Sequence, residues 1–244
     1  MTFIITLYVR EGVVMASDSR LSLNQNEQTG PNAVTRLDIA QSDANYKTFL
    51  TPNQVGISTF GAADIGGVPI SGFIQSFIEE QLHEGDSVAA TPQLLLDYFR
   101  AQPGPPAVFF HVAAYDTDAS GHREQFVWRV DVVANLVVRR NPPNTGVPTQ
   151  GAAWDGELDV LSRLLARVQF LNALGAAEVD MPAPQIPWNF FTLQDAIDFA
   201  LYAVRTTSDT IRFQVRPKTV GGPIDVLVLL PSESHWVQRK ELHV

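Results

Sequence analysis

The chain has no cysteine. Disulfides, thiolate metal sites and a cysteine nucleophile are therefore excluded. Basic residues are also scarce. There are three lysines, Lys47, Lys218 and Lys240, and 17 Lys and Arg together stand against 26 Asp and Glu, a formal net charge of −9. Phosphate recognition needs Lys and Arg clusters, so neither nucleic acid nor an anionic membrane surface is an expected partner. No apolar run approaches the roughly eighteen residues of a membrane span, and the first residues lack a basic stretch followed by an apolar one. The expectation is a cytoplasmic protein. The five histidines, His83, His111, His122, His235 and His243, do not share metal-ligand spacing with one another or with an acid. No metal and no cofactor are expected. His111 reads as a core or sheet-face residue, and nothing marks a Ser-His-Asp site.

What is present fits one globular domain: 244 residues, 45% apolar and 18% charged. The chain begins with two apolar, β-branched runs, Phe3 to Val9 and Val13 to Ala16, around Arg10-Glu11-Gly12. This predicts a β-hairpin, which brings its ends together and sets Thr2 near Asp18. Thr2 follows the initiator Met1, and methionine aminopeptidases act before so small a residue. Release of Met1 leaves a hydroxyl and a free α-amine on one residue, and the amine can serve as base to the hydroxyl. Its reference pKa of about 7.7–8.0 leaves a useful fraction neutral near neutral pH. A neighbouring ammonium lowers it further. Lys47 offers one, in a segment that reads as a short strand, Lys47 to Leu50, a turn and a second strand, Val55 to Phe60. Asp18 beside Lys47 would keep the lysine protonated and aim it at Thr2.

Further along, Leu21 to Tyr46 is polar, contains Gly30-Pro31, and reads as a long loop. Asp64-Ile65-Gly66-Gly67 lacks the spacing and the Lys-Ser/Thr pair of a phosphate loop. Apolar residues at helical spacing predict a helix from Ile70 to Leu82, ended by Glu84-Gly85-Asp86, and a second from Pro92 to about Gln102 with Thr91 as N-cap. Three strands follow, Ala107 to Tyr115, Gln125 to Asp131 and Leu136 to Arg140, with turns at 116–121 and at Ala134-Asn135. A Pro-rich loop, Asn141 to Gln150, leads to an expected long helix over about 155–175, with Leu158, Leu161, Leu164, Leu165, Val168 and Leu171 inward. A third strong helix starts at Thr192 as cap, with Asp195 in its first turn. Strands Ile224 to Leu230 and His235 to Glu241 end the chain. Grouped strands and grouped helices predict an α+β fold with antiparallel sheets.

Thr2, the acid in Gly12-Val13-Val14-Met15-Ala16-Ser17-Asp18-Ser19-Arg20, Lys47 before a short strand, Gly61-Ala62-Ala63-Asp64 after the next, and Thr219-Val220-Gly221-Gly222-Pro223-Ile224-Asp225-Val226 near the end resemble a proteasome β-subunit. The likeness is greatest to the bacterial ancestral-β-subunit branch, Anbu. It covers both ends and the middle in outline. The resemblance implies an N-terminal-nucleophile (Ntn) hydrolase with a four-layer αββα sandwich over 1–244, in which 21–46 is an insertion loop. It implies Thr2 as nucleophile and, through its amine, general base, with Asp18 and Lys47 tuning it and the Gly61 N–H holding the oxyanion. By alignment Leu21, Phe49, Thr59 and Ala63 line a small, apolar side-chain pocket, with a preference for uncharged side chains. Two departures stand out. Alanines occupy Gln150-Gly151-Ala152-Ala153-Trp154-Asp155 where the family has a serine. In Thr206-Thr207-Ser208-Asp209-Thr210 the acid is displaced by one, which makes Ser208 and Asp209 candidate supporting groups. Arg20 is expected to pair with a nearby acid. A peptide or amide substrate and a homo-oligomeric ring or spiral follow from the resemblance, and an ATPase partner is left open. Three readings compete: a threonine peptidase, a ring subunit without turnover, and an amidase for a small non-peptide substrate.

Overall fold

The structure is a computed structural model and describes residues 2–29, 32–117, 121, 123–144, 147–175 and 177–241. Met1, His122 and His243, Gly30-Pro31 and the middle of the 116–121 turn lie outside the described residues. In chain order, β1 (Phe3–Val9), β2 (Gly12–Ser17), β3 (Leu21–Thr29), β4 (Asn32–Ser42), β5 (Thr48–Leu50) and β6 (Gly56–Gly61) come first. A minute hairpin, β7 (Asp64–Ile65) and β8 (Val68–Pro69), precedes α1 (Ile70–Gln81) and α2 (Thr91–Arg100). Then come β9 (Val108–Thr117), β10 (Arg123–Asp131), β11 (Leu136–Arg139), the two-residue β12 (Pro143–Asn144) and β13 (Val147–Pro148), and β14 (Gly151–Gly156). The chain continues with α3 (Asp159–Leu164), β15 (Val168–Leu171), β16 (Ala177–Met181), α4 (Leu193–Arg212), β17 (Asp225–Leu229) and β18 (Ser234–Gln238). The class is α+β with antiparallel sheets, as the pattern predicted.

Two five-stranded sheets carry the fold, in the orders β14-β1-β2-β17-β18 and β11-β10-β9-β6-β5. Every residue of β1 and β2 is buried. Their apolar runs are continuous because both faces are covered. Phe3, Ile5, Leu7 and Val9 pack with Ala196, Ala200, Ala203 and Val204 of α4. On the other face Tyr8, Val13 and Met15 meet Ala113 and Val127 of the second sheet. That sheet turns Ile57, Phe110 and Val112 to Ile74, Phe77, Leu95 and Phe99 of α1 and α2. The N-terminus of α4 is closed by a capping box, Asp195 N to Thr192 Oγ1 at 3.2 Å and Thr192 N to Asp195 Oδ2 at 2.9 Å. Glu11, in the β1–β2 turn, accepts a hydrogen bond from Leu193 N at 2.8 Å, so the turn also caps the helix.

Four sequence expectations are corrected. Most of 21–46 is not a loop: β3 and β4 pair in their own two-stranded sheet. A ribbon satisfies its backbone internally, so polar composition does not exclude it. The long helix over 155–175 does not form. Its start is β14, which adds to the β1 edge from Phe3↔Gly156 to Tyr8↔Gly151. Its middle is the six-residue α3, and its end pairs with β16. Leucine spacing satisfied the helical template, but pairing with the open edge of β1 overrode it. Gly156, at φ +95°, is the break. Of the residues expected inward, Leu161 is buried, whereas Leu158, Leu164, Val168 and Leu171 are exposed. Thr91 is not the cap of α2; Ala90 is, and the buried Thr91 hydroxyl accepts from Asn53 Nδ2 at 3.3 Å. The Pro-rich loop contains the short β12–β13 ladder. No helix among the described residues is long and apolar enough to cross a membrane.

Candidate active site

The β1–β2 hairpin sets its open ends side by side. Asp18 N donates to Phe3 O at 3.3 Å, and Phe3 N donates to Asp18 Oδ1 at 3.1 Å. Asp18 is fully buried and takes two further backbone donors on Oδ2, Arg20 N at 3.1 Å and Gly221 N at 3.0 Å. The Thr219–Val226 segment is thereby tied to the start of the chain, with Ser19 N to Gly221 O at 3.0 Å closing the contact. Lys47 Nζ lies 2.7 Å from Asp18 Oδ1, and both side chains are almost wholly buried. Burial pushes the Lys47 ammonium below its ordinary range; Asp18 pulls it back up, and the charges of Lys240 and Arg20 push it down again. The Lys47 backbone is pinned to β6 by Thr59 N to Lys47 O at 2.9 Å. A second buried pair, Lys240–Asp225, stands nearby. Arg20 does pair with an acid: Nε and Nη2 each reach Asp43 at 2.7 Å.

Thr2 is 7% exposed. Its carbonyl accepts from Glu157 N at 2.8 Å. A Cβ on Gly156 would come within 1.8 Å of that carbonyl oxygen, so only glycine lets β14 approach so closely. Glu157 is itself buried and accepts from Thr219 Oγ1 at 2.8 Å and from Arg216 Nη1 at 3.4 Å. Sequence reasoning missed Gly156 and Glu157 because it placed both in a helix. The glycine inside that helical pattern was the available signal.

Thr2, Lys47, Gly61, Leu21, Thr59 and Ala63 line one small recess. Gly61 has φ +100°, and a Cβ there would meet Ala107 O at 2.4 Å. Phe49 does not line this recess. Its predecessor Thr48 faces the other sheet and bonds Ser17 Oγ at 2.8 Å and Ser58 Oγ at 2.9 Å. Strand alternation therefore turns Phe49 into the core under α1 and α2. Ser208 and Asp209 are not among the groups lining the recess of Thr2 either. They line a second recess of about 300 Å³ with Gly221, Gly222 and Asp18, and Ser208 Oγ reaches Val220 O at 3.5 Å. Their helix, α4, covers the opposite face of the first sheet, so they approach Asp18 from behind. The recess of Thr2 is also more polar than expected, since Ser22, Asn45 and Ser71 join its walls.

A second hydroxyl-imidazole-carboxylate chain lies between the sheets. Thr6 Oγ1 is 3.0 Å from His111 Nδ1, and His111 Nε2 is 2.9 Å from Asp155 Oδ2. Burial pushes the His111 imidazole below its ordinary range, against the pull of Asp155. The Asp155 carboxyl is held low: burial works to raise it, but the His111 hydrogen bond and charge, with Arg129 and Arg140, prevail. The arrangement that satisfies both partners is a neutral ring, with Nε2–H donating to Asp155 and Nδ1 accepting from Thr6. Thr6 and His111 are fully buried. Nothing in the residue order announced this chain, because its members sit on three strands.

No protein-family model matches this chain, and no curated protein matches it in sequence.

Proposed function

We propose that this protein is a threonine-type hydrolase of the Ntn class, related to proteasome β-subunits and built as an αββα sandwich. Peptide or amide bonds are its substrates. The observation that carries the reading is the shared recess of Thr2, Lys47 and Gly61, with the Lys47 ammonium held at 2.7 Å by a buried Asp18. Once Met1 is released, the Thr2 α-amine takes the proton of the Thr2 hydroxyl as Oγ1 attacks the substrate carbonyl. A C–O bond forms, and the carbonyl electron pair moves to an oxyanion facing the Gly61 backbone. The pair returns, the C–N bond breaks, and the leaving amine carries away the proton. Water then attacks the Thr2 ester by the same route, releasing a carboxylic acid and restoring the hydroxyl. Lys47 lowers the proton affinity of the amine by its charge, and Asp18 holds Lys47 in place.

Intact mass tests this. The expected protein lacks Met1, gains one equivalent of a peptide epoxyketone or β-lactone, and loses that uptake in Thr2→Ala. An unprocessed chain that takes up no inhibitor overturns the reading. It would favour the alternative, a proteasome-fold subunit without turnover. That alternative has one observation behind it: Ala152 and Ala153 stand where the family has a serine, which removes one polar partner of the amine. An amidase for a small substrate differs only in what it cleaves, and fluorogenic peptides against simple amides separate the two. Assembly into a homo-oligomeric ring or spiral in the cytoplasm belongs to the same proposal. The exposed apolar residues Phe170, Leu171 and Leu174 of the β15–β16 hairpin are its contact candidates.

A further inference from the structure

We infer that the recess beside Thr2 selects a short hydroxyl-bearing side chain, serine or threonine, on the acyl side of the bond to be cut. The inference rests on the hydrolase reading and goes beyond it, replacing an apolar side-chain pocket with a hydrogen-bonding one.

Two hydroxyls carry it. Ser22 at the start of β3 and Thr59 on β6 both line the recess, and each is 6% exposed. The oxygen of each is buried without a hydrogen-bond partner. Buried polar atoms are paired in the great majority of native structures, so two orphans on one small recess call for an explanation. The neighbours of Thr59 along β6 are otherwise engaged: the Ser58 hydroxyl bonds Thr48, and the Phe60 ring stacks on Phe109. A ligand that enters the recess is the partner these two hydroxyls lack.

Charge and size then narrow the ligand. The two cations on the recess are already matched, Lys47 to Asp18 and Arg20 to Asp43. A charged side chain would therefore be buried there without a counter-ion of its own. The enclosed space is about 20 Å³, enough for the hydroxyl end of a short side chain whose carbons stay at the mouth. Phenylalanine, leucine and arginine side chains are too large. Leu21, Ala63 and Ile70 supply apolar wall for a methylene or methyl. A hydroxyl that both donates and accepts, carried on one or two carbons, satisfies all of these conditions.

The test is a set of fluorogenic peptides identical except at the acyl-side residue, which is Ser, 2-aminobutyrate, Thr, Val, Phe or Lys. Thr and Val differ by hydroxyl against methyl, as do Ser and 2-aminobutyrate. A site built to hydrogen-bond a hydroxyl rejects the methyl isostere, and the expected preference in kcat/KM is about tenfold or more in each pair. Thr59→Val and Ser22→Ala should each shrink that preference, and Thr59→Ser should restore it. Peptide epoxyketones bearing the same residues, read by intact mass, separate the two levels of the argument. Labelling of Thr2 with Val equal to or ahead of Thr overturns the selectivity and leaves the hydrolase standing. A preference untouched by both Thr59→Val and Ser22→Ala overturns it as well. No labelling of Thr2 by any member overturns the hydrolase reading, and the selectivity falls with it.

Discussion

One strand face carries two threonines four residues apart, and they have different neighbours. Thr2 precedes β1 and opens on a recess it shares with Lys47 and Gly61. Thr6, in the middle of β1, bonds a histidine that bonds an aspartate. Read as a list of residue types, the inner site resembles a hydrolase triad more closely than the outer one does. It is nevertheless sealed: Thr6 and His111 have no exposed surface, and every polar atom of the imidazole is satisfied within the protein. The buried Thr6 hydroxyl, bonded to His111 of the other sheet, ties the two sheets together. Among the described residues the recess of the outer site is lined by no histidine or carboxylate, but it has an opening and, on the proposed release of Met1, gains an amine that no internal residue possesses. Access and, in the proposed hydrolase, a free chain end set the two threonines apart.

The largest expected effects test that contrast directly. Thr2→Ala should lower peptide hydrolysis by about 10⁴-fold or more while leaving the unfolding curve near wild type. Thr6→Val should do the opposite: turnover stays within a few-fold, and stability falls by about 1–3 kcal/mol because His111 Nδ1 loses its buried donor. Unfolding in denaturant alongside steady-state rates reads both. Equal losses of activity in the two variants would erase the distinction. Next in size are the charges at the outer site. Asp18→Ala strands a buried ammonium and several backbone N–H groups, and Lys47→Ala strands a buried carboxylate. Each should cost about 3–5 kcal/mol of stability, with the double variant costing less than the sum. Simple additivity in that cycle would mean the 2.7 Å contact contributes no coupling.

How much of this was written in the residue order follows the same line. The hairpin and the Thr2–Asp18 proximity were legible because a tight turn fixes register locally. The partners of Asp18 were legible only in part. Lys47 stood out as one of three lysines, whereas the Gly221 N–H that also reaches Asp18 comes from the far end of the chain. Helices α1, α2 and α4 declared themselves by one apolar face each. The segment 151–181 misled because its leucines recur at helical spacing, while the strand that claimed its first residues, β1, lies some 150 residues earlier. The Thr6-His111-Asp155 chain was illegible for the same reason: no local pattern encodes a contact across three strands. Phe49 was set in the recess by alignment, which carries sequence position but not how deeply a side chain packs into the core.

Gly156 gives a smaller effect and joins the two regions. It follows Asp155, whose carboxylate ends the inner chain, and it lets β14 approach the Thr2 carbonyl. Gly156→Ala should cost about 1–3 kcal/mol from its φ of +95° alone. Its Cβ also collides with Thr2 O. Turnover should therefore fall further than stability predicts, and inhibitor uptake at Thr2 should slow. A variant that is destabilised but labels at the wild-type rate would show that the carbonyl contact does not position Thr2.

The smallest expected effect is a pH slope, and it belongs to the inner site alone. Burial lowers the pKa of His111 in the folded protein. The unfolded chain then takes up a proton near pH 6.5 that the folded chain refuses, so stability falls as pH drops through about 6.5 toward the folded value. The loss is at most about 1.4 kcal/mol per pH unit for one group, and it levels off once the folded imidazole is also protonated. His111→Gln cannot titrate. It should be less stable than wild type at pH 7.5, yet show a shallower decline when unfolding free energies are compared at pH 7.5, 6.5 and 5.5. Asp155 does not produce this slope: its folded pKa is depressed from an already acidic value, so its contribution is lost only at lower pH. A wild-type line that rises relative to His111→Gln as pH falls would mean the imidazole carries its proton in the folded state. The inner chain would then be a buried ion pair between His111 and Asp155, and Thr6 would accept its hydrogen bond.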